Sequence, residues 1–501
     1  MRVRPVAVLV GSVVIGLLVV APPASAGSGI RFHAPVTLPG SEDGNEPSLA
    51  ISNAGIRYPS WQGPGEFAKS SDGINFVNIG IPDANAIGDV TNAVDAAGAL
   101  YNAQICGDLH DILHTCVYRT TDGGKTWERR AILADNHPGA SDRPWIDVYP
   151  KRSNQPWDTN KTTVYLEYHT FSPDDLVYVS KSTDGGGTFG PPILATIGTN
   201  ALPDSGCNTV PGGVTVDQNT GTVYVVWLSG NDVVSNLGTG CNYSQIGPFD
   251  KAWVSTSTDG GLTWRAHLAW QGAFDPVTKI GDNADKIFGT MTVDSSGQVH
   301  VVLPVRHNDD PVGFVADCET NPGCLEDPQT TELLLATSPD LGNTWTPPVT
   351  IARGGSNFFP WVAGGSAGRL AVVYYSSSTL RPNDPSSVWK ISYSAVTGAV
   401  ATLDGFVAKY IQTPQVGSVL LDPNPVHLGG ICTFGIFCEA VPNADRSLAD
   451  AIVVAIDPAG GANAAWTNNA SGSERVDFAC QDGGPSLFAG MKNLRGCYGA
   501  R

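Results

Sequence analysis

STDGGLTW, from Ser257 to Trp264, is one copy of a repeat that decides the architecture. TTDGGKTW runs from Thr120 to Trp127, STDGGGTF from Ser182 to Phe189 and SPDLGNTW from Ser338 to Trp345, while a shortened copy, SSDGINF, runs from Ser70 to Phe76. The aspartates at 72, 122, 184, 259 and 340 are spaced like one supersecondary unit with variable insertions. Asp and Gly-Gly suit turns, because the carboxylate accepts nearby backbone N–H groups and glycine takes positive φ. Alternating strands such as VYVSKS, AWVSTS and LLLATS precede the turn, and a Thr and an aromatic follow it, so each copy reads as a hairpin with a ring to fold back over it. A turn built several times over is scaffold. Asp122, Asp184, Asp259 and Asp340 are therefore read as structural rather than catalytic.

A second pattern lies between these turns: an apolar strand ending in Asp or a small polar turn, then a strand that often ends in an aromatic. It occurs as PSLAISNAGIRYPSW from Pro47, TNAVDAAGALYNAQ from Thr91, PWIDVYP with TTVYLEY from Pro144, and GVTVDQNTGTVYVVW from Gly213. TMTVDSSGQVHVVL from Thr290, WVAGGSAGRLAVVYY from Trp361 and IVVAIDPAGGANAAW from Ile452 complete the set. Each hairpin supplies strands one and two of a four-stranded blade, and the repeated turn joins strands three and four. The last hairpin has a third strand, SERVDFAC, but no clear fourth; IRFHAPVTLP, Ile30 to Pro39, is a spare strand that can close the ring and remove its open edges. The expectation is an all-β propeller of seven blades rather than six.

The pattern SxDxGxTW resembles the Asp-box, or BNR repeat, of the sialidase-like β-propellers. The resemblance spans about 275 residues and concerns architecture first, because the same boxes occur in glycosidases, sorting receptors and assembly factors.

Residues 1–26 read as a secretory signal: Arg2 and Arg4, an apolar run from Val6 to Val20, and the small residues Ala24-Ser25-Ala26. Residues 27–501 then form a single Asp-box propeller domain, exported and extracellular, with no other span. Ten cysteines in an exported chain argue for disulfides, and neighbours in sequence give the expected pairs: Cys106 with Cys116, Cys207 with Cys241, Cys318 with Cys324, Cys432 with Cys438, and Cys480 with Cys497. None has the CxxC spacing of a zinc knuckle. The formal charge of −18 becomes −20 once Arg2 and Arg4 leave with the signal, which argues against a nucleic-acid partner. The 58 glycines and 36 prolines suit a turn-rich β protein, and a monomer is expected.

Strand alternation places the repeated turns on one face, so chemistry belongs to the other, where first strands begin and second strands end. Before first strands stand Glu46, Asp89, Asp142 with Arg143, Asp282 with Asp285, and Asn357; after second strands stand Trp61, Gln104 with Asp108 and His110, Glu167 with Tyr168 and His169, Trp227, Arg306 with His307, and Tyr374 with Tyr375. Acids, arginines and aromatics around one axis suit a carbohydrate. The resemblance to sialidases implies a Tyr374 or Tyr375 nucleophile activated by Glu167, a carboxylate clamp from Arg143 and Arg306, and Asp89 as acid. Glu46, Tyr168, His169 and Trp227 join the clamp as substrate-binding candidates.

The family's early Arg-Ile-Pro has no counterpart; the first strand opens Asn45-Glu46-Pro47, an acid where the first arginine would stand. Each site residue also has a plainer reading: Arg143 beside Asp142 as a local ion pair, Glu167 as a solvated acid, His110, His114 and His169 as exposed loop histidines. No cofactor is expected, a structural calcium ion being the one these acids admit. Three functions stay open: an exo-α-sialidase acting on extracellular glycans, a glycan- or protein-binding propeller without the arginine clamp, and a lyase or other glycosidase using His169 or His307 with Tyr168.

Overall fold

The structure, a computed structural model, describes residues 29–499 apart from 64–66, 81–85, 108–112, 133–140, 171–174, 199, 208, 231–248, 276, 279, 285–286, 310–327, 434–437, 439–443 and 449. Asp108, His110, Asp285, Cys241, Cys318, Cys324 and the expected secretory signal lie outside the described residues.

The repeat folds as its chemistry dictates. In the copy at 257, the Ser257 hydroxyl donates to Asp259 Oδ1 and accepts the Gly261 N–H, while Asp259 also accepts the Leu262 and Thr263 N–H groups and the Thr263 hydroxyl. The copies at 120, 182 and 338 use the same bonds from serine or threonine to aspartate and from threonine back to it. All five join third to fourth strands, as between Lys251–Ser257 and Arg265–Gln271.

The turns between first and second strands carry a related device. Asp95, Asp294 and Asp457 each accept two backbone N–H groups within their own turn through Oδ1. Their Oδ2 atoms reach across to Thr162, Gly368 and Arg57 of adjoining segments. Asp147 likewise accepts the Val216 N–H. One carboxylate therefore shapes a turn and ties it to a neighbour, which explains the Asp at so many strand ends.

Seven first strands stand round the axis in chain order: Asn45–Ile51, Ala86–Val94, Ser141–Tyr149, Thr209–Val216, Thr290–Val293, Ser356–Gly364 and Ile452–Ile456, the last lying against the first. Six of them belong to sheets of four or more strands, and these are full blades. The first hairpin departs from the expectation of seven four-stranded blades. Asn45–Ile51 and Arg57–Gln62 make a two-stranded ribbon, and its Asp-box ribbon, Ala68–Lys69 with Val77–Asn78, is paired to it by the isolated bridges Arg57–Ser70 and Ser60–Phe67 rather than by a continuous ladder. Outer strands two residues long are too short to complete a sheet, so the propeller has six full blades with this split pair of ribbons wedged between the first and the last.

The ring closes through both ends of the chain. Arg31–Phe32 and Val36–Thr37 pair with Arg475–Gly484, which already holds Ala462–Asn468, so the spare N-terminal strand fills the missing place in the last blade. The disulfides Cys106–Cys116, Cys432–Cys438 and Cys480–Cys497 form as expected, and Cys207 is also disulfide-bonded. Valine, leucine, isoleucine and aromatic side chains from facing sheets fill the spaces between blades, as the burial of Tyr224, Val254, Val301 and Val373 in one cluster illustrates.

Candidate functional site at the propeller axis

Three first strands open with the same device. Glu46, Arg143 and Phe359 have φ of 48°, 52° and 48°, each precedes a proline, and each sits at a register shift, between Asn45 and Ser48, Asp142 and Trp145, or Phe358 and Trp361. A bulge re-aims the side chain it carries. A non-glycine residue in the left-handed region costs about 1–3 kcal/mol and persists where its surroundings over-determine it.

Around Arg143 those surroundings are carboxylates. Its Nε lies 3.2 Å from Asp89, and one Nη lies 3.2 Å from Glu46 and 2.8 Å from Asp450. Its guanidinium carbon stands 4.7 Å from the centre of the Phe288 ring, a cation–π distance. Arg446 adds a second cation, 2.6 Å from Asp450 and 3.9 Å from Glu46. Burial opposes the charge of Arg143, but Asp89, Glu46 and Asp450 outweigh it and hold the guanidinium more firmly protonated than usual. Burial pushes the Glu46 carboxyl well up, against Arg143 and with help from Asp89 and Asp450. Glu46 and Asp89 thus stand together beside a fixed cation.

His169 is the second polar centre. Its Nδ1 lies 2.9 Å from Asp175 Oδ1 and its Nε2 3.5 Å from Asp142. Burial disfavours the imidazolium, yet the two carboxylates win and push its pKa up to about 10. Opposite Trp145 on the paired strand, Glu167 is fully buried, and neither of its oxygens makes a hydrogen bond of ordinary geometry. Burial pushes its carboxyl well up, with His169 and the Gly213 N–H acting against that.

The fold therefore gathers Glu46, Asp89, Asp142, Arg143, Glu167 and His169 from the expected set. Most of the others lie in packed surroundings. Alternation sends Tyr374 and Tyr375 to opposite faces: the Tyr374 hydroxyl meets Ser394, and the Tyr375 hydroxyl donates to the Thr467 carbonyl and accepts the Thr467 N–H. Tyr168 packs on Tyr178, and the Trp227 indole donates to Ser205. Arg306 is buried at the level of Asn283, and His307 pairs with Asp282 at 2.7 Å on the surface. Asp450 and Arg446 were not singled out from the sequence, yet DRSLAD, Asp445 to Asp450, stands just before the last first strand, the same station as Glu46 and Arg143. Phe288 and Asp175 carried no pattern.

A cavity of about 20 Å³ opens beside Arg143, lined by Glu46, Asp89, Trp145, Trp361 and Ala451 among others. Trp145 and Trp361, the residues after two of the bulge prolines, pack at 5.1 Å across the axis. Among the described residues no group of three His, Cys, Asp or Glu side chains is placed to hold a metal ion, and no helix is long and apolar enough to cross a membrane.

No protein family and no curated protein matches the chain. Solved structures do. An ulvan lyase, a polysaccharide lyase, matches over 90% of this chain and 94% of its own at 12% identity and a TM-score of 0.47. A Hadza microbial sialidase matches over 86% and 74% at 14% identity and 0.41. The leech intramolecular trans-sialidase matches over 91% and 70% at 14% identity and 0.40. In fold the chain is a β-propeller built on Asp-box turns, as its own sheets and turn hydrogen bonds show.

Proposed function

We propose that this chain is an exported propeller that acts on extracellular glycans through the cluster at its axis, and that it does so by acid–base chemistry or recognition rather than through a tyrosine nucleophile. The observation that carries the reading is the Arg143 guanidinium shared by Glu46, Asp89 and Asp450 at the centre of the ring. Glu46 and Asp89 supply the proton-handling pair, with Asp89 the more exposed of the two, and Arg143 fixes their geometry. The secretory signal and the disulfides support export.

Sialidase turnover asks for a tyrosine free to attack and arginines free to grip a carboxylate. Tyr375 is tied to Thr467 through both donor and acceptor roles, and Arg143 already faces three carboxylates. A lyase asks for a neutral base, whereas His169 stays protonated through neutral pH. The test is a panel of 4-methylumbelliferyl glycosides, neutral sugars and α-sialoside together, with binding to the same glycans read in parallel. Release or binding that Asp89→Asn abolishes supports the reading. Sialoside release that survives Asp89→Asn and dies in Tyr375→Phe overturns it in favour of a sialidase, and no binding or release from any member overturns it altogether.

A further inference from the structure

We infer that the cavity beside Arg143 is a slot for one hydroxyl group of an uncharged sugar, and that it excludes the carboxylate of an acidic sugar. This rests on the reading of the axial face as glycan-directed and names the ligand class that face takes.

Size comes first. About 20 Å³ admits one water-sized group and nothing larger. The chemistry of the lining then narrows the choice. Trp145 lines the cavity and is 7% exposed, and its indole N–H, which can only donate, has no acceptor among the described residues. Asp89 and Glu46 line the same space and present carboxyl oxygens. A hydroxyl is both acceptor and donor, so its oxygen can take the indole N–H while its proton goes to Asp89. An ammonium group would satisfy the acids and leave the indole orphaned.

A ligand carboxylate would satisfy the indole but would enter a site where Asp89 and Asp450 are already drawn up to Arg143. A further anion raises the repulsion among these carboxylates. The walls supplied by Val90, Pro144 and Val453 are apolar and offer the hydroxyl no competing side-chain partner.

The experiment uses the full mature chain labelled with ¹⁵N at its indoles, the Trp145 signal being assigned with Trp145→Phe. It is titrated with neutral gluco-, galacto- and manno-oligosaccharides and, separately, with 3′-sialyllactose and an oligoglucuronate. The expected result is a downfield shift of the Trp145 indole proton with a neutral oligosaccharide only, and a loss of affinity on the order of fivefold in Trp145→Phe, one hydrogen bond's worth. Asp89→Asn, nearly isosteric, covers the case in which the tryptophan variant does not fold: it is expected to weaken the neutral sugar and to admit the acidic ones. Binding of acidic sugars alone, or neutral binding with the Trp145 signal and the Asp89→Asn affinity unmoved, overturns the slot while leaving the glycan reading in place. Absence of binding to either set overturns the glycan reading itself.

Discussion

Arg57 Nη2 lies 3.3 Å from Asp457 Oδ2, and both side chains are sealed from solvent. The pair joins the first ribbon to the last blade, so it sits on the seam that closes the ring. The same guanidinium donates to Asn463 Oδ1 and to the carbonyls of Gly55, Ser71 and Tyr498, so one arginine also anchors the C-terminal tail. Removing one partner of a buried pair leaves the other uncompensated, at a typical cost of about 3–5 kcal/mol. Arg57→Ala is expected to lose stability of that order in urea unfolding and to expose the tail to proteolysis. A loss under about 1 kcal/mol would show that the seam is held by the strand pairs alone.

The Asp-boxes predict the acid limit of the fold. Burial acts to raise the Asp184 carboxyl, but bonds from Ser182 and Thr188 outweigh it and bring the pKa down to about 2; Asp122 and Asp259 lie lower still for the same kind of reason. A carboxylate whose folded pKa is depressed contributes stability above its unfolded value, and that stability disappears as pH falls through the folded one. Melting temperature is therefore expected to fall between about pH 4 and pH 2, and Asp184→Asn is expected to flatten part of that fall. An unchanged slope in the variant would remove the box carboxylate from the account.

How much of this was legible beforehand follows from what each level of organisation writes into sequence. The boxes and hairpins are local, so SxDxGxTW and the Asp-ended strands announce blades, faces and the closing role of Ile30 to Pro39. Counting blades failed at one place, where two-residue strands leave Arg57–Gln62 and Val77–Asn78 in separate ribbons. The axial cluster was half legible. Glu46 and Arg143 could be placed because each precedes a first strand, whereas Asp450 reaches Arg143 from 307 residues away in sequence, a proximity that only ring closure creates. Tyr375 looked like a nucleophile because its hydroxyl could not be seen meeting Thr467.

Glu167 makes a prediction of opposite sign to that of the Asp-boxes. Its folded pKa is raised by burial, so the folded state holds a proton that the unfolded state releases as pH rises above the ordinary glutamate value of about 4.3. The wild type therefore loses stability between that pH and its folded pKa, and a glutamine does not. Glu167→Gln is expected to melt higher than wild type at pH 7.5 and to lose most of that advantage at pH 4. An equal difference at the two pH values would mean that the buried carboxyl is not held protonated.

His169 sets the alkaline side. Between Asp175 and Asp142 its pKa rises to about 10, above an unfolded value of about 6.5. A group whose folded pKa is raised in this way contributes stability that is complete below the unfolded pKa and is lost as pH climbs through the folded one. The pH window is accordingly from about 6.5 to about 10. Across it the melting temperature is expected to decline, and Asp175→Asn, which removes the nearer carboxylate at 2.9 Å, is expected to shift the midpoint of that decline toward neutral pH. The imidazole carbon-bound protons give an independent reading by NMR, since their titration midpoint follows the same proton. A midpoint below pH 7 in the wild type would mean that His169 is neutral at physiological pH, and it would restore the histidine as a candidate base at the axis.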